Sequence, residues 1–194
     1  MADIRSTILE HALPLVPFDG WSNYTLQEAA KRAGLREVAV KQAFPGGVRE
    51  CVAYFLAEED KALEAEFPPE RLAGLRIPGR IETLILAQLA RWRPRREAIR
   101  RTVSFNALPW NASLALKTLY ATVDLMWRLA GDTATDFSFY TRRMTLAGVY
   151  SSTLLFWLND MSEEGQETVL FLKRRLGDVA SFGRFKKQIS KCFQ

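Results

Sequence analysis

The sequence is poor in the residues from which catalytic and metal centres are usually built. Its 194 residues include one histidine, His11, and two cysteines, Cys51 and Cys192. Zinc sites of the His-Glu-x-x-His type and di-iron sites of helical bundles each require at least two histidines, so both are excluded. A Ser-His-Asp triad would have to use His11, which lies in the first predicted helix as an exposed or capping residue. We therefore expect no catalytic residue, no metal and no cofactor.

Phosphate-binding loops and long apolar runs are lacking as well. Gly46-Gly47 is not followed by the Gly-Lys-Ser/Thr of a P-loop. The uncharged stretch 144–159 is shorter than the roughly 20 apolar residues of a membrane-spanning helix, and the N-terminus lacks the layout of a signal peptide. Asp132 and Asp136 offer two carboxylates to Mg²⁺, but the stronger interpretation is that Asp136 or Thr135 is the N-cap of the helix that follows.

Helical spacing of Ala, Leu, Arg and Glu, with almost no alternating strand pattern, predicts an all-α fold. Near the N-terminus, Thr25-x-x-Glu28 is a capping box that predicts the start of a short helix, and Gly34 predicts its end. A second short helix is expected over 36–44. This order of elements is typical of a helix-turn-helix.

Breaks in the helical pattern divide the chain into three parts. Phe67-Pro68-Pro69 ends the fourth predicted helix, and turn residues follow it up to Gly79. We expect a helix-turn-helix head over 1–70, a larger helical body over 71–177 and a tail helix over 178–194.

The net charge of +5 is the average of regions with opposite sign. Residues 1–90 hold ten Lys and Arg against thirteen Asp and Glu, and residues 102–170 hold four against seven. The basic residues are concentrated in 91–101, with six against one, and in 171–194, with seven against one. The predicted second helix of the helix-turn-helix, 36–44, consists mostly of small and apolar residues. An acidic head with such a helix does not favour binding to nucleic acid.

The helical body contains a segment that is apolar on nearly every face, Leu146–Leu158. Small residues such as Gly148 and Ser152 lie beside large aromatic ones in this segment. The pattern is that of an element buried on all sides, and two interpretations stay open: a plain core or a cavity for lipid.

The tail combines aromatic and basic residues at helical spacing. Apolar residues recur at intervals of three and four from Val179 onward, while lysines and Arg184 fill other positions. Such a helix suits the surface of an anionic membrane, or it docks on its own bundle or on a dimer mate. The residues assigned to membrane contact are Phe182, Phe185, Lys186, Lys187, Ile189 and Phe193.

Several long motifs resemble a known family. Trp21–Phe55, with Leu26-Gln27-Glu28-Ala29-Ala30 inside it, is similar to the degenerate TetR-like head of the ubiquinone (coenzyme Q) biosynthesis accessory family. The match is more specific over Asp124–Arg143 and continues through Leu146–Tyr150, Asp160-Met161-Ser162 and Phe171–Arg175. Where many relatives have Trp, this chain has Phe139.

The resemblance implies a TetR-like helical bundle and a non-enzymatic function. Members of the family bind lipids and assist the di-iron hydroxylase that acts on demethoxyubiquinone. By this resemblance, the apolar body would bind a polyprenyl quinone intermediate, another isoprenoid or a phospholipid. The residues assigned to the lipid pocket are Trp127, Leu146, Val149, Tyr150, Leu154 and Trp157. The residues assigned to the hydroxylase surface are Asp136, Phe139, Tyr140 and Arg143.

The expected location and assembly complete these predictions. Two cysteines suit a reducing compartment. We expect a cytoplasmic homodimer, peripheral to the inner membrane of a bacterium, or on the matrix side of the membrane in a mitochondrion. The alternative function is a TetR-like transcriptional regulator whose body senses a ligand.

Overall fold

The computed structural model describes residues 3–133 and 137–192, with side chains for 3–133 and 139–179. The described residues form helices and turns and contain no strand, which confirms the all-α prediction. The helices are α1 Ile4–Ala12, α2 Val16–Asp19, α3 Asn23–Arg32, α4 Val38–Ala43, α5 Val48–Glu66, α6 Pro69–Leu72, α7 Ile77–Trp92, α8 Arg96–Asn106, α9 Ala112–Leu129, α10 Phe137–Asn159 and α11 Gln166–Cys192. Within the described helices, none is both long and apolar enough to cross a bilayer.

The helices form two compact units. Unit 1 contains the described residues up to Ala62 together with Arg91–Leu119, and unit 2 contains Leu63–Ala90 together with the described residues from Tyr120 onward. Of the predicted head over 1–70, the described residues up to Ala62 lie in unit 1 and residues 63–70 lie in unit 2. Residues 91–119 were predicted as part of the body because their helices are apolar, which is a property that both units share.

The helix-turn-helix lies in unit 1 and is formed by α3 and α4. Its helix α3 begins two residues before the predicted capping box, because the Ser22 hydroxyl accepts a hydrogen bond from the backbone N–H of Thr25 at 3.1 Å. The assignment of Thr25 as the cap was therefore wrong. The prediction for Gly34 is confirmed: its φ of 70° is the left-handed conformation that closes a helix at low cost for glycine.

A buried carboxylate in unit 1 accounts for part of the basic stretch 91–101. Glu59 on α5 accepts a hydrogen bond from the Trp92 indole at 3.2 Å and forms ion pairs with Arg95 at 3.2 Å and Arg91 at 3.5 Å. Its side chain is only 9% exposed, so its charge needs these partners. Two of the six arginines in this stretch therefore pair with a buried carboxylate of unit 1.

In unit 2, α10 and α11 pack against each other as an antiparallel pair. Phe156 and Phe171 stack between them, with ring centroids 4.5 Å apart. The backbone of α11 continues through Gly177 and Gly183, so the boundary predicted between 177 and 178 falls inside one helix. Tertiary contacts can offset the weak helix propensity of a glycine.

Asp160 fixes the start of α11. One carboxylate oxygen accepts hydrogen bonds from the N–H and the hydroxyl of Ser162, at 2.8 and 2.6 Å. The other accepts them from the N–H and the hydroxyl of Thr168, at 2.9 and 2.5 Å. Burial alone would raise the pKa of Asp160, but these hydrogen bonds outweigh it and lower the pKa from 3.8 to about 2. The Asp160-Met161-Ser162 motif is thus a helix cap.

We expect Asp160→Asn to lower the free energy of unfolding by about 2 kcal/mol at pH 7, because an amide cannot accept hydrogen bonds at both of its atoms. The folded-state pKa lies below the ordinary value, so the stabilisation is present above pH 3.8 and is lost as the pH falls toward about 2. Denaturant unfolding over a pH series measures both effects.

Asp178→Asn is the matched control, because Asp178 is 64% exposed and pairs with Arg175 near the surface of the same helix. We expect it to change the unfolding free energy by less than about 0.5 kcal/mol. An Asp160→Asn variant with the wild-type acid dependence would contradict the assigned cap.

Candidate functional site

Unit 2 contains an apolar groove with a volume of about 280 Å³. Its walls come from the N-terminal part of α7, the C-terminal part of α9 and facing stretches of α10 and α11. The lining residues are Ile77, Pro78, Ile81, Trp127, Thr141, Arg142, Thr145, Leu146, Val149, Leu176 and Val179. Most are aliphatic or aromatic, so the groove offers an apolar chain a surface away from water.

Three of the six residues predicted for the lipid pocket line this groove: Trp127, Leu146 and Val149. The other three do not. Tyr150 and Trp157 are only 4% and 6% exposed and belong to the buried core, and Leu154 is half-buried. Part of α10 is therefore plain core, and another part lines the groove.

The prediction missed the groove residues of α7 and α11 and the hydroxyl-bearing residues of α10. Thr141, Thr145 and Val149 are spaced by four along α10, and Ile77 and Ile81 are spaced by four along α7. These spacings place each set on one helical face. The spacing was visible in the sequence, but nothing in it indicated which faces of the two helices meet.

The volume of the groove limits what it can hold. Pockets for small molecules have volumes of roughly 300–1,000 Å³, so this groove lies just below that range. It can take a short apolar segment of a ligand, and a long polyprenyl chain would extend beyond it.

Contacts at the C-terminal end of α9 hold one wall of the groove in place. Gly131 has a φ of 84°, and its N–H donates to the carbonyl oxygen of Arg128 at 3.0 Å. Arg80 of α7 donates to the carbonyl oxygen of Ala130 at 3.0 Å, and a Cβ on Gly131 would lie 3.0 Å from the same guanidinium. Glycine at this position therefore permits both the turn and the arginine contact.

Arg143 is the buried centre of the junction between α9 and α10. Its side chain is 3% exposed and forms ion pairs with Asp124 at 2.7 Å and with Asp132 at 3.1 Å. Arg142 pairs with the other oxygen of Asp132 at 2.6 Å. We call these four residues the junction network. The side chain of Asp132 is only 1% exposed, and both of its oxygens pair with guanidinium groups, so it is not available as a Mg²⁺ ligand.

The junction network supports an exposed aromatic surface. The guanidinium carbon of Arg143 lies 3.3 Å from the centroid of the Phe139 ring, which meets the Tyr140 ring edge to face at 5.2 Å. Tyr140 is 63% exposed, and Met144, one turn further along α10, is 73% exposed. Arg143 was predicted to form part of this surface, whereas its buried side chain lies beneath it and orients Phe139.

Several predicted site residues lie outside the part of the chain that the structure describes. Asp136 and Phe193 are outside it altogether. The side chains predicted to contact a membrane, Phe182, Phe185, Lys186, Lys187 and Ile189, also lie outside it, although the helical backbone of α11 includes these positions.

The residues with the greatest catalytic potential have structural partners. The Nδ1 of His11 lies 2.9 Å from the carbonyl oxygen of Thr7 in the same helix. Cys51 is fully buried, and this burial raises the pKa of its thiol to about 12, so it stays protonated at neutral pH. Among the residues that the structure describes, no group of three His, Cys, Asp or Glu side chains is arranged to hold a metal ion.

Comparison with known proteins extends these observations. Residues 112–183, which include α9, α10 and the groove part of α11, match the family model COQ9. The chain is 33% identical to the mitochondrial ubiquinone biosynthesis protein COQ9 of Rattus norvegicus and 32% identical to that of Homo sapiens, in each case over 96% of this chain. It spans 62% and 60% of the length of these two relatives.

A more distant relative has the same named function, and a solved structure shares the fold. The chain is 26% identical to the mitochondrial ubiquinone biosynthesis protein coq9 of Schizosaccharomyces pombe, over 94% of this chain and 76% of that protein. The crystal structure of a TetR transcriptional regulator from Nitrosomonas europaea superposes with a TM-score of 0.74, over 91% of this chain and 98% of that one, at 22% identity. The chain belongs to the COQ9 family and has a TetR-like fold.

Proposed function

We propose that the chain is a non-enzymatic lipid-binding protein of ubiquinone biosynthesis that binds a polyprenyl quinone intermediate and presents it to a membrane-associated hydroxylase. The observation that carries the proposal is the apolar groove of unit 2. Each methylene group moved from water into such a site contributes about 0.8 kcal/mol, so a few isoprene units suffice for appreciable affinity. The pathway is taken from the relatives, which are named as ubiquinone biosynthesis proteins.

The position of the exposed aromatic surface supports the second half of the proposal. Tyr140 and Met144 lie on α10, the helix that also contributes Leu146 and Val149 to the groove. A partner bound at Tyr140 would therefore lie within two helical turns of a groove residue, or about 10 Å. A hydroxylase at this surface would meet a ligand that emerges from the groove.

The alternative, a transcriptional regulator, finds little support in α4. This helix runs from Val38 to Ala43, and Lys41 is its one basic residue. DNA affinity depends largely on neutralised phosphates and on polar side chains that reach base edges. The likeness to a TetR regulator concerns the fold.

Filling the groove should prevent lipid binding. Thr145 lines the groove and is exposed, so Thr145→Phe adds a ring to the groove without overpacking the core. We expect at least a tenfold loss of isoprenoid or phospholipid that purifies with the protein, measured by extraction and mass spectrometry. The thermal unfolding midpoint should change by no more than a few degrees.

Leu155→Phe is the control for this substitution. Leu155 lies on the same helix, is 53% exposed and does not line the groove. Its variant should keep the wild-type lipid content. Equal lipid content in Thr145→Phe and Leu155→Phe would argue against the groove as the binding site.

Removing the exposed aromatic group should weaken hydroxylase binding without unfolding the domain. We expect Tyr140→Ala to reduce affinity for the demethoxyubiquinone hydroxylase at least tenfold in a pull-down titration, because exposed tyrosines often dominate the energy of an interface. Tyr24→Ala is the matched control, since Tyr24 is 65% exposed on α3 in unit 1. Equal losses in the two variants would show that Tyr140 has no specific role.

The sequence of the tail supports a peripheral membrane contact, which belongs to the same proposal. Phe182→Asp with Phe185→Asp should abolish flotation with vesicles that contain anionic phospholipid, because both substitutions fall on the aromatic stripe. Ala180→Asp with Ser190→Asp adds the same charge at positions outside that stripe and should leave most of the flotation intact. Equal flotation of both double variants would favour a tail docked on protein.

A further inference from the structure

The segment that leads into α9 presents large apolar side chains to solvent. Trp110, in the turn before α9, and Leu116, in the second turn of the helix, are each 68% exposed, and Leu108 is 36% exposed. All three lie in unit 1. Single exposed leucines are common in soluble proteins, but an exposed tryptophan with two leucines on one short segment is typical of a binding surface.

The spacing of these residues places Trp110 and Leu116 on either side of one polar residue. The short 3-10 turn Pro109–Asn111 leads directly into α9, and Trp110, Ser113 and Leu116 follow at intervals of three. Residues three or four positions apart are neighbours on a helical surface. Leu114, by contrast, is only 9% exposed and packs inside the unit. Ser113 therefore lies between two exposed apolar side chains.

Two cations lie at the same surface. Arg49 of α5 is exposed, and its Nη2 donates a hydrogen bond to the Oγ of Ser113 at 3.3 Å. Its guanidinium thus reaches the residue midway between Trp110 and Leu116. Lys117 is exposed and follows Leu116 directly. We call the five exposed side chains the Trp110 patch: Arg49, Leu108, Trp110, Leu116 and Lys117.

The positive charge of the Trp110 patch is not compensated by a carboxylate. In the described part of the chain, neither Arg49 nor Lys117 forms an ion pair. Residues 98–123 contain no Asp or Glu. Glu50, the neighbour of Arg49 in sequence, uses one carboxylate oxygen for Arg5 and the other for the backbone N–H of Gly46, each at 2.8 Å. The patch is therefore apolar and cationic at once.

We propose that the Trp110 patch is a second membrane contact, which binds anionic phospholipid. Arg49 and Lys117 pair with the phosphate groups, while Trp110 and Leu116 enter the boundary between head groups and acyl chains. Tryptophan suits this boundary, because its ring is largely apolar and its N–H is polar. A guanidinium can donate several hydrogen bonds to one phosphate.

This contact goes beyond the proposed function, which assigns membrane binding to the tail. The tail belongs to α11 in unit 2, whereas the Trp110 patch belongs to unit 1. The two surfaces share no residue, so each can be removed without altering the side chains of the other. Neither the groove nor the exposed aromatic surface of α10 contributes to the patch.

The composition of the patch favours a lipid surface over a macromolecular partner. A stable interface with a folded protein takes roughly 20–30 residues on each side, with complementary charges arranged in a fixed pattern. The patch has five side chains and one sign of charge. Two cations also neutralise too few phosphates for appreciable affinity to nucleic acid. A fluid anionic surface requires no fixed pattern and rewards each buried apolar group and each cation separately.

Quenching of tryptophan emission by brominated phospholipid tests the contact directly. Trp21, Trp92 and Trp157 are at most 7% exposed, so lipid can reach Trp110 and the groove residue Trp127. We expect vesicles of phosphatidylcholine and phosphatidylglycerol with brominated acyl chains to quench the wild-type protein. Trp110→Tyr, which keeps an aromatic side chain, should remove at least half of the quenched intensity. Quenching that is as large in Trp110→Tyr as in the wild type overturns the proposal.

A vesicle titration measures the contribution of each kind of side chain. Trp110→Ser with Leu116→Ser should lower the affinity for the same vesicles without bromine at least tenfold. Arg49→Gln with Lys117→Gln should also lower it at least tenfold, because each basic residue near an anionic surface contributes a factor of about five. The second pair should leave the weaker affinity for pure phosphatidylcholine unchanged.

The helix-turn-helix of unit 1 offers matched controls. Tyr24 and Val38 are 65% and 48% exposed, and Lys31 and Lys41 are exposed as well. Tyr24→Ser with Val38→Ser, and Lys31→Gln with Lys41→Gln, should keep at least half of the wild-type vesicle affinity. Equal affinity in a patch variant and its control overturns the proposal.

Two further outcomes separate this contact from other assignments. If Trp110→Ser with Leu116→Ser dissociates a dimer in sedimentation and keeps the wild-type vesicle affinity, the patch binds a second copy of the chain and the proposal is wrong. A wild-type protein that binds no vesicles overturns the patch and the tail contact together, while lipid binding in the groove stands. Loss of vesicle binding in the tail variant alone, with Trp110 quenched in the wild type, supports the patch.

Discussion

The ion pairs of the junction network connect α9 and α10, the two helices that contribute Trp127 and Val149 to the apolar groove. Arg143 brings a positive charge to a side-chain position that is only 3% exposed, and its ion pairs with the carboxylates of Asp124 and Asp132 compensate for that burial. One of them lies on α9 and the other in the turn that follows it, while Arg143 lies on α10. Removal of one partner would leave a buried charge unpaired, so the packing of α10 against α9 depends on the network as a whole.

Much of the fold follows from local sequence preferences, such as those for the residues at helix ends. Gly34 predicted a left-handed helix end, and its φ of 70° confirms it. The start of the same helix was predicted less well, because Ser22 and Thr25 both have hydroxyl groups, and the strong helix formers begin only after Thr25. The Ser22 hydroxyl caps the helix, while the Thr25 hydroxyl donates to the carbonyl oxygen of Gly20 at 2.8 Å. The choice between them depends on the path of the chain before the helix, which local propensity does not contain.

The candidate site was less predictable, because its residues acquire their roles through tertiary contacts. An arginine in a helix is normally expected at the surface. The burial of Arg143 depends on two acidic residues that lie 19 and 11 positions earlier. Likewise, Val149 and Tyr150 are neighbours in an apolar run, yet one lines the groove and the other belongs to the core. The hydrophobic pattern identified α10 as a buried helix. It did not indicate which face lines the groove and which face lies in the core.

Residues on different faces of α10 have different environments, and these environments depend on one another. Thr145 and Val149 face the groove, Arg143 faces the buried carboxylates, and Tyr140 faces solvent. Arg142 lines the groove and shares the Asp132 carboxylate with Arg143, which in turn lies against the Phe139 ring. An occupant that moves Arg142 therefore changes the electrostatic environment of the residue that orients the aromatic surface. Two ion pairs and one ring contact thus connect the groove with the exposed aromatic surface. All three contacts lie within one turn of α10 and the adjacent Asp132 carboxylate.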